Sequence, residues 1–264
     1  MKTCLTIAGS DSIGGAGIQA DIKTMTALGV YGMTAIASLT AQNTTGVKSI
    51  IGVSKEFLSD QLDMIMTDIF PDAVKTGCIS SPELIDEVVE KIEKYKLKNI
   101  VVDPVIFSKS GVKLIKDEAI TEMKNKLLGL ANLITPNILE LEIISEKKIK
   151  NQDDMISASK ICYEKYGCAV LCKGGHGIND GQDLLYNEKG IKWFKTKNIE
   201  TTNLHGTGCT LSSAIASYLA LNFNMEEAIL KAKEYITGCL ENSVKMGKGF
   251  GPLNHCFLIN NKNL

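Results

Sequence analysis

Short apolar runs alternate with longer stretches of helical spacing along almost the whole chain. The apolar runs have the length of buried strands, and they lie at Thr3–Ala8, Met33–Leu39, Asn99–Asp103, Leu133–Thr135 and Ala169–Cys172. Between the first two runs, apolar residues recur at helical spacing from about Gly17 to Leu28. This alternation predicts an α/β fold with three layers (α/β/α), in which a mainly parallel central sheet carries helices on both faces.

The signals between these elements favour one continuous domain. Ser81 and Pro82 form a typical helix start, because a capping hydroxyl precedes a proline at the first helical position. The later elements are predicted at Leu184–Tyr186 and Ile191–Phe194 (a β-hairpin), and at Cys209–Leu221 and Met225–Val244 (helices). We find no internal repeat, low-complexity tract or linker, and we therefore predict a single domain over residues 1–264.

The composition argues against several classes of partner. The 29 Lys and Arg residues nearly balance the 30 Asp and Glu residues and are scattered, so we expect no nucleic-acid partner. No apolar stretch approaches the roughly 18 residues of a membrane helix, and the N-terminal run is too short for a signal peptide. A cytoplasmic protein without a membrane partner is expected. The eight cysteines contain no Cys-x-x-Cys pair, so reduced thiols are expected rather than disulfides or zinc ligands.

In parallel α/β sheets, ligands bind beyond the carboxyl ends of the strands. Two glycine-rich segments of this chain lie there. The first, Gly15-Ala-Gly-Ile-Gln-Ala20, matches the dinucleotide pattern G-x-G-x-x-G/A, but it begins six residues past the predicted strand end. No acid ends the second predicted strand to bind a ribose hydroxyl, and the P-loop pattern is absent. A nicotinamide enzyme is therefore only a remote alternative.

The second glycine-rich segment comprises Gly206, Thr207, Gly208 and Cys209 and opens a predicted helix. Its backbone amides and the positive helix end favour an anion. No Asp or Glu occurs between Glu200 and Glu226, so the anion must come from outside the chain. The alternative is an ordinary glycine-containing helix start that Thr207 caps.

Several motifs together resemble one family. They are Thr6-Ile-Ala-Gly-Ser-Asp-Ser, Gly14-Gly-Ala-Gly-Ile-Gln-Ala-Asp, Lys75-Thr-Gly, Val102-Asp-Pro-Val, Leu133-Ile-Thr-Pro-Asn, Lys173-Gly-Gly-His, His205-Gly-Thr-Gly-Cys and Gly247-Lys-Gly-Phe-Gly-Pro. In this order they resemble the ribokinase-like hydroxymethylpyrimidine/phosphomethylpyrimidine kinases of thiamine synthesis and the related bacterial pyridoxine kinases. The resemblance implies a ribokinase-like fold, ATP and Mg²⁺ as cofactors, and a homodimer.

The resemblance also implies roles for the phosphoryl-transfer residues. The amides of Gly206, Thr207, Gly208 and Cys209 would hold the migrating phosphoryl group. Cys209 would be the general base, and the helix end is expected to lower the pKa of its thiol. Its alternative is a buried structural cysteine. Further roles are Mg²⁺ binding by Asp103 and Glu140, and nucleotide-phosphate binding by Lys173, Lys248 and Asn137. The alternatives are a turn former for Asp103, a solvated helix acid for Glu140, and ordinary surface charges for the two lysines.

The substrate-binding residues implied by the resemblance are Gly9, Asp11, Gln42, Cys78 and Val105. The carboxamide of Gln42 has a donor and an acceptor, as pairing with an aminopyrimidine requires. The pyridoxine kinases commonly have Met at the position of Gln42. Cys78 stands at another position, where Met is commoner in the family, and this change loosens the expected specificity. We therefore expect a hydroxymethylpyrimidine kinase that also phosphorylates the monophosphate, with a pyridoxine/pyridoxal kinase as the alternative. A catalytically silent pyrimidine-binding sensor is the alternative from another class.

Overall fold

A computed structural model describes residues 1–108, 111–174, 181–195, 197 and 199–260. The strands are β1 (Thr3–Asp11), β2 (Tyr31–Asn43), β3 (Gly46–Gly52), β4 (Ala73–Thr76), β5 (Ile100–Val102), β6 (Leu133–Ile134), β7 (Ala169–Cys172), β8 (Asp183–Asn187) and β9 (Gly190–Phe194). They form one sheet in the order β3-β2-β1-β4-β5-β6-β7-β8-β9. The six strands from β2 to β7 pair in parallel, and β3, β8 and β9 are antiparallel to their neighbours.

The helices are α1 (Gly17–Ala27), α2 (Lys55–Met66), α3 (Pro82–Tyr95), α4 (Asp117–Glu122), α5 (Ile138–Ser145), α6 (Gln152–Tyr166), α7 (Thr207–Ala220), α8 (Met225–Glu241) and α9 (Phe257–Asn260). One apolar core packs the sheet against α2 to α6, and a second packs the opposite face against α1, α7 and α8. The predicted three-layer α/β/α fold is thus confirmed. Within the described part of the chain, no helix combines the length and apolar character that a bilayer span needs.

The elements that the sequence predicted are mostly confirmed, although it did not predict every element. α3 begins at Pro82 as expected, and the Ser81 hydroxyl caps it by accepting a hydrogen bond from the Leu84 amide. The β8–β9 hairpin is also confirmed. The prediction missed β3 and ended β2 at Leu39, although β2 continues to Asn43. Beyond Leu39 both strands are largely exposed, so no buried apolar run marks them in the sequence.

Strand alternation directs a set of polar side chains to the face that carries α1 and α7. Cys4, Ala73, Val101, Leu133 and Leu171 belong to the core on this face. Residues two positions later in an extended chain point the same way. These residues are Thr6, Lys75, Asp103, Thr135 and Lys173, from five neighbouring strands. The carboxyl edge of the sheet therefore gathers two lysines, an acid and two hydroxyls beneath α7.

The deepest of these polar groups is the ammonium of Lys75, which is fully buried. Its Nζ atom lies 2.8 Å from Oδ2 of Asp21, a fully buried residue of α1. The hydroxyl of Thr6 donates a second hydrogen bond to the same oxygen, at 2.6 Å. Burial disfavours the ammonium, but Asp21, Cys209 and Asp103 together outweigh burial and raise the pKa of Lys75. Burial also raises the pKa of Asp21, although Lys75 opposes this shift. The pair therefore joins α1 to the centre of the sheet as an ion pair.

Removing one member of this pair leaves a buried charge without its partner. We expect Asp21→Ala to lower the free energy of unfolding by about 3–5 kcal/mol. The double change Asp21→Leu with Lys75→Met replaces both charges with apolar groups, so we expect it to change stability far less. Urea unfolding at neutral pH measures both values. A single variant as stable as the double variant would contradict this account.

Candidate active site

A cavity of about 630 Å³ opens at the carboxyl ends of the parallel strands. It brings together nearly all residues predicted for the site, namely Gly9, Asp11, Gln42, Cys78, Asp103, Val105, Asn137, Glu140, Lys173, Gly206, Thr207, Gly208 and Cys209. The start of α7 therefore faces the same space as Gln42 and Asp103, as the predicted chemistry requires. Lys248 is not part of this lining.

The start of α7 is an uncapped helix end. Gly206 is its N-cap residue, with a left-handed φ of 84°, and no side chain caps the helix. Its first turn contains no acid, and the Thr207 hydroxyl instead donates to the carbonyl of Leu204 at 3.2 Å. The structure thus excludes Thr207 as the cap. The Thr207 amide also donates to the Leu204 carbonyl, at 3.4 Å. The other amides of this turn and the positive end of the helix form a site for an anion inside the cavity.

The ammonium of Lys173 lies beside this helix start. Its Nζ donates to Oδ1 of Asp103 at 2.9 Å, and a Cβ atom added at Gly208 would lie only 3.3 Å from the same Nζ. Asp103 also accepts hydrogen bonds from the hydroxyls of Thr135 and Ser212. Burial favours the neutral acid, but Lys173 and then Lys75 outweigh burial and lower the pKa of Asp103. The site therefore offers a fixed cation next to the anion-binding amides.

Glu140 and Asn137 form a capping box at the start of α5. Glu140 accepts the Asn137 amide at 2.9 Å and the Ile106 amide at 3.3 Å, and Asn137 accepts the Glu140 amide. Burial raises the pKa of Glu140 to about 7, although Lys173 opposes this shift. Among the described residues, no group of three or more His, Cys, Asp or Glu is placed to hold a metal. Two carboxylates fit a magnesium ion whose other ligands are phosphate and water.

Cys209 lies in the first turn of α7 and is partly exposed to the cavity. Burial nevertheless raises the pKa of the thiol to about 11, although the ammonium of Lys75 opposes the shift. The expectation of a lowered thiol pKa is therefore wrong for the unliganded site, because burial outweighs the helix end.

Gln42 lies in β2, at a point where the pairing with β3 shifts register. Its backbone exchanges two hydrogen bonds with the Ser12 hydroxyl, which accepts from the amide at 3.0 Å and donates to the carbonyl at 2.8 Å. The Gln42 side chain helps to lower the pKa of Asp11. The register shift and the Ser12 contact thus hold the Gln42 carboxamide at the cavity.

The remaining predicted residues differ in how they are placed. Gly9 leaves no room for a side chain, since an added Cβ would lie 2.7 Å from the Ser38 hydroxyl. Cys78 lines the cavity, and burial raises the pKa of its thiol to about 12. Lys248 is exposed, and its amide donates to the Thr44 hydroxyl at 3.1 Å. His176 of the Lys173-Gly-Gly-His motif lies outside the described residues.

Two residues of the site received no role from the sequence. Lys75 appeared only within a motif, and its buried position is visible only once the strand is placed beneath α7. His205 directly precedes the glycine turn, lines the cavity and bonds to Asp11. The position of His205 next to Gly206 was the one signal in the sequence for a role in the site. Its partner, Asp11, is 194 residues away in sequence, so the sequence did not indicate the hydrogen bond.

Open helix-end amides, a fixed lysine and two carboxylates beside a ring-sized cavity define a small-molecule phosphotransferase on a three-layer α/β fold. The model of the family described as phosphomethylpyrimidine kinase matches residues 11–254. The chain therefore belongs to the phosphomethylpyrimidine kinase family, and the predicted ribokinase-like kinase fold is confirmed.

Curated relatives are consistent with this assignment. The chain is 45% identical over 252 residues to the thiamine biosynthesis bifunctional protein ThiED of Geobacter sulfurreducens, covering 95% of this chain and 51% of that protein. It thus spans about half the length of that relative. It is 40% identical to the hydroxymethylpyrimidine/phosphomethylpyrimidine kinase of Bacillus subtilis, covering 95% of this chain and 93% of that protein.

Solved structures show the same fold. A phosphomethylpyrimidine kinase from Clostridium difficile 630 has a TM-score of 0.82 at 46% identity, covering 90% of this chain and 98% of that chain. An ADP complex of Bacillus subtilis pyridoxal kinase has a TM-score of 0.90 at 34% identity, covering 98% of this chain and 99% of that chain.

The buried thiol of Cys209 has a testable pH dependence. Since its pKa is about 11, the thiolate fraction grows about tenfold per pH unit below that value. We expect alkylation of Cys209 by iodoacetamide in the unliganded protein to accelerate accordingly from about pH 7 to about pH 10. Peptide mass spectrometry measures the rate, and the exposed Cys256 in the same digest reports reagent access. A plateau below about pH 9 would contradict a raised thiol pKa.

Proposed function

We propose that this kinase uses ATP to phosphorylate 4-amino-5-hydroxymethyl-2-methylpyrimidine, and then its monophosphate, in thiamine biosynthesis. The observation that carries the proposal is that the uncapped start of α7, Lys173 and the Gln42 carboxamide face one cavity. The first two suit the transferring phosphoryl group, and the third suits an aminopyrimidine. The similarity to ThiED and to the hydroxymethylpyrimidine/phosphomethylpyrimidine kinase of Bacillus subtilis supports the same reaction.

In the proposed reaction, the amides of Gly206, Thr207, Gly208 and Cys209 bind the oxygens of the migrating phosphoryl group. Lys173 neutralises the charge that shifts toward the leaving nucleotide, and its contact with Asp103 keeps it in place. Because the lysine adjoins Gly208, the cation and the amides act on the same group.

Magnesium is proposed as the metal cofactor. When bound, it supplies positive charge between the nucleotide phosphates. Asp103 and Glu140 would hold it, either directly or through water. Both acids are buried at the cavity, and their hydrogen bonds to Lys173 and to backbone amides fix their orientation. Asn137 positions Glu140 through the capping box. This role of Asn137 is separate from its predicted contact with a nucleotide phosphate.

Cys209 is proposed to accept the proton of the substrate hydroxyl. Its sulfur lies in the first turn of α7, next to the amides that hold the phosphoryl group. The raised pKa makes the thiol a weak acid but its thiolate a strong base. Lys75 favours the thiolate form that this role requires.

The ring is proposed to bind between Gln42, Cys78 and Val105, which line one part of the cavity. The Gln42 carboxamide would pair with the amino group and the adjacent nitrogen of an aminopyrimidine. Cys78 is shorter than methionine and leaves room for a differently substituted ring. The similarity to the pyridoxal kinase at a TM-score of 0.90 favours a pyridoxine/pyridoxal kinase as the second candidate.

A coupled assay of ADP release tests the proposal with hydroxymethylpyrimidine, its monophosphate and pyridoxine. We expect the two pyrimidines to be the better substrates. Gln42→Met removes the carboxamide that would pair with the pyrimidine, and the amino group and ring nitrogen of the bound substrate lose their partner. We therefore expect kcat/KM for the pyrimidines to fall on the order of 100-fold. The value for pyridoxine should change by less than about threefold.

Two variants control this assay. Gln152→Met makes the same change at an exposed position of α6 outside the cavity lining, and we expect no effect on either ring. Cys209→Ala removes the proposed base, so turnover of every ring should fall while nucleotide binding, measured by calorimetry, persists. An equal loss of both ring activities in Gln42→Met would show that Gln42 does not select the ring. Turnover of pyridoxine alone by the wild type would favour the second candidate.

We also propose a single cytoplasmic kinase domain that forms a homodimer through its β3 edge. In the described part of the sheet, β3 is an outermost strand and is bonded only to β2. Leu39 and Ile51 pair across these strands and are 49% and 69% exposed. An exposed apolar edge strand is a site for pairing with a second copy.

Light scattering tests the dimer. We expect twice the chain mass of 28.6 kDa for the wild type and a monomer for Ile51→Lys, because the charge disfavours burial of the edge. Ile161→Lys, on the exposed face of α6, is the matched control and should remain dimeric. A dimer that persists in Ile51→Lys would place the interface elsewhere.

A further inference from the structure

One side-chain hydrogen bond joins the two glycine-rich segments of the site. Nε2 of His205 lies 2.8 Å from Oδ2 of Asp11. Asp11 is the last residue of β1 and precedes the first loop, which comprises residues 12–16 and includes Gly14 and Gly15. His205 directly precedes the start of α7. The two side chains are 15% and 2% exposed, so water competes little for the bond. Both residues line the cavity.

Asp11 organises the first loop through its carboxylate. Oδ2 accepts the backbone amides of Gly15 and Ala16, at 2.9 and 2.8 Å, and Oδ1 accepts the amide of Ile13 at 3.1 Å. Burial opposes ionisation, but the hydrogen bonds, first that of His205, lower the pKa of Asp11 to about 2. The carboxylate is therefore a permanent acceptor, and His205 can donate Nε2–H to it at neutral pH.

The same loop touches the start of α7 through its backbone. A Cβ atom added at Gly206 would lie 1.8 Å from the carbonyl oxygen of Gly15. A Cβ atom added at Gly15 would lie 2.4 Å from the His205 ring. The backbone amide of His205 is held by the carbonyl of Gly251. A shift of the His205 ring thus moves the loop and the helix start relative to each other.

We propose that His205 is a positioning residue that, through Asp11, fixes the anion-binding start of α7 relative to the substrate-binding loop. The two parts of the site bind different reactants, the phosphoryl donor and the ring alcohol. Their relative position sets the distance between the attacking oxygen and phosphorus, and a misplacement of about 1 Å can cost roughly 100-fold in rate. His205 neither touches the reacting atoms nor gives up a proton in this role.

This role rests on the kinase activity but not on the identity of the ring. The test compares two amides of different reach. The amide of His205→Gln reaches about as far as Nε2 and can still donate to Asp11, whereas His205→Asn is one methylene shorter and cannot. Kinetics are measured with ATP and with whichever ring alcohol the wild type phosphorylates, so a wrong assignment of the ring leaves this test intact.

We expect His205→Asn to lower kcat by about 10- to 100-fold while KM for ATP changes by less than about threefold. His205→Gln should retain kcat within about fivefold of the wild type. A purely structural role would instead lower the melting temperature of both variants, without a loss of kcat that is confined to His205→Asn. Thermal unfolding monitored by circular dichroism separates the two effects.

His255, which contacts α7 from outside the helix, offers a matched control. Nε2 of this buried histidine lies 2.9 Å from the Thr210 hydroxyl of α7, and His255 is not part of the cavity lining. His255→Asn should lower stability and leave kcat within about threefold of the wild type. Equal kcat in His205→Asn and His205→Gln, a change confined to KM for ATP, or an equal loss of kcat in His255→Asn would each overturn the proposal.

Discussion

The structure depends on the close backbone contact between Gly206 and Gly15. The left-handed turn at Gly206 brings the start of α7 so near the first loop that no side chain fits at either glycine. The Thr207 amide of this turn donates to the Leu204 carbonyl, whereas Gly206, Gly208 and Cys209 line the cavity with no side chain capping the helix. An acid in the first turn would satisfy these amides and remove the anion site, and the chain has none there.

The charges around this helix end form layers. Lys75 and Asp21 are fully buried at the base, Asp103 and Lys173 lie nearer the carboxyl ends of the strands, and the helix end faces the same cavity as this second pair. Each lysine has a carboxylate partner, so the site holds much positive charge without an isolated buried ion. An incoming phosphate thus meets cations that the protein has already oriented, and little reorganisation is needed during the reaction.

The sequence predicted the layered fold because its parallel strands are apolar runs and its helices carry clear starts, as at Ser81 and Pro82. It also predicted the residues that gather at the strand ends, since parallel strands share one edge. It missed β3, whose side chains are exposed and show no apolar run. It gave the wrong direction for the thiol pKa of Cys209, because a motif shows the helix end but not the burial. Lys248 matched a motif, yet it lies at the Thr44 turn and outside the cavity lining.

The cavity is built from two parts of the sheet that differ in their packing. Asp103 and Lys173 follow central parallel strands that are covered on both faces, whereas Gln42 and Ile50 belong to the thinly covered β2–β3 ribbon. Substitutions in a ribbon that supports little of the core cost little stability. With the proposed role of Gln42, changes in this ribbon would alter the choice of acceptor while leaving Asp103 and Lys173 in place, which makes the ribbon the first place to redesign the enzyme for a new alcohol.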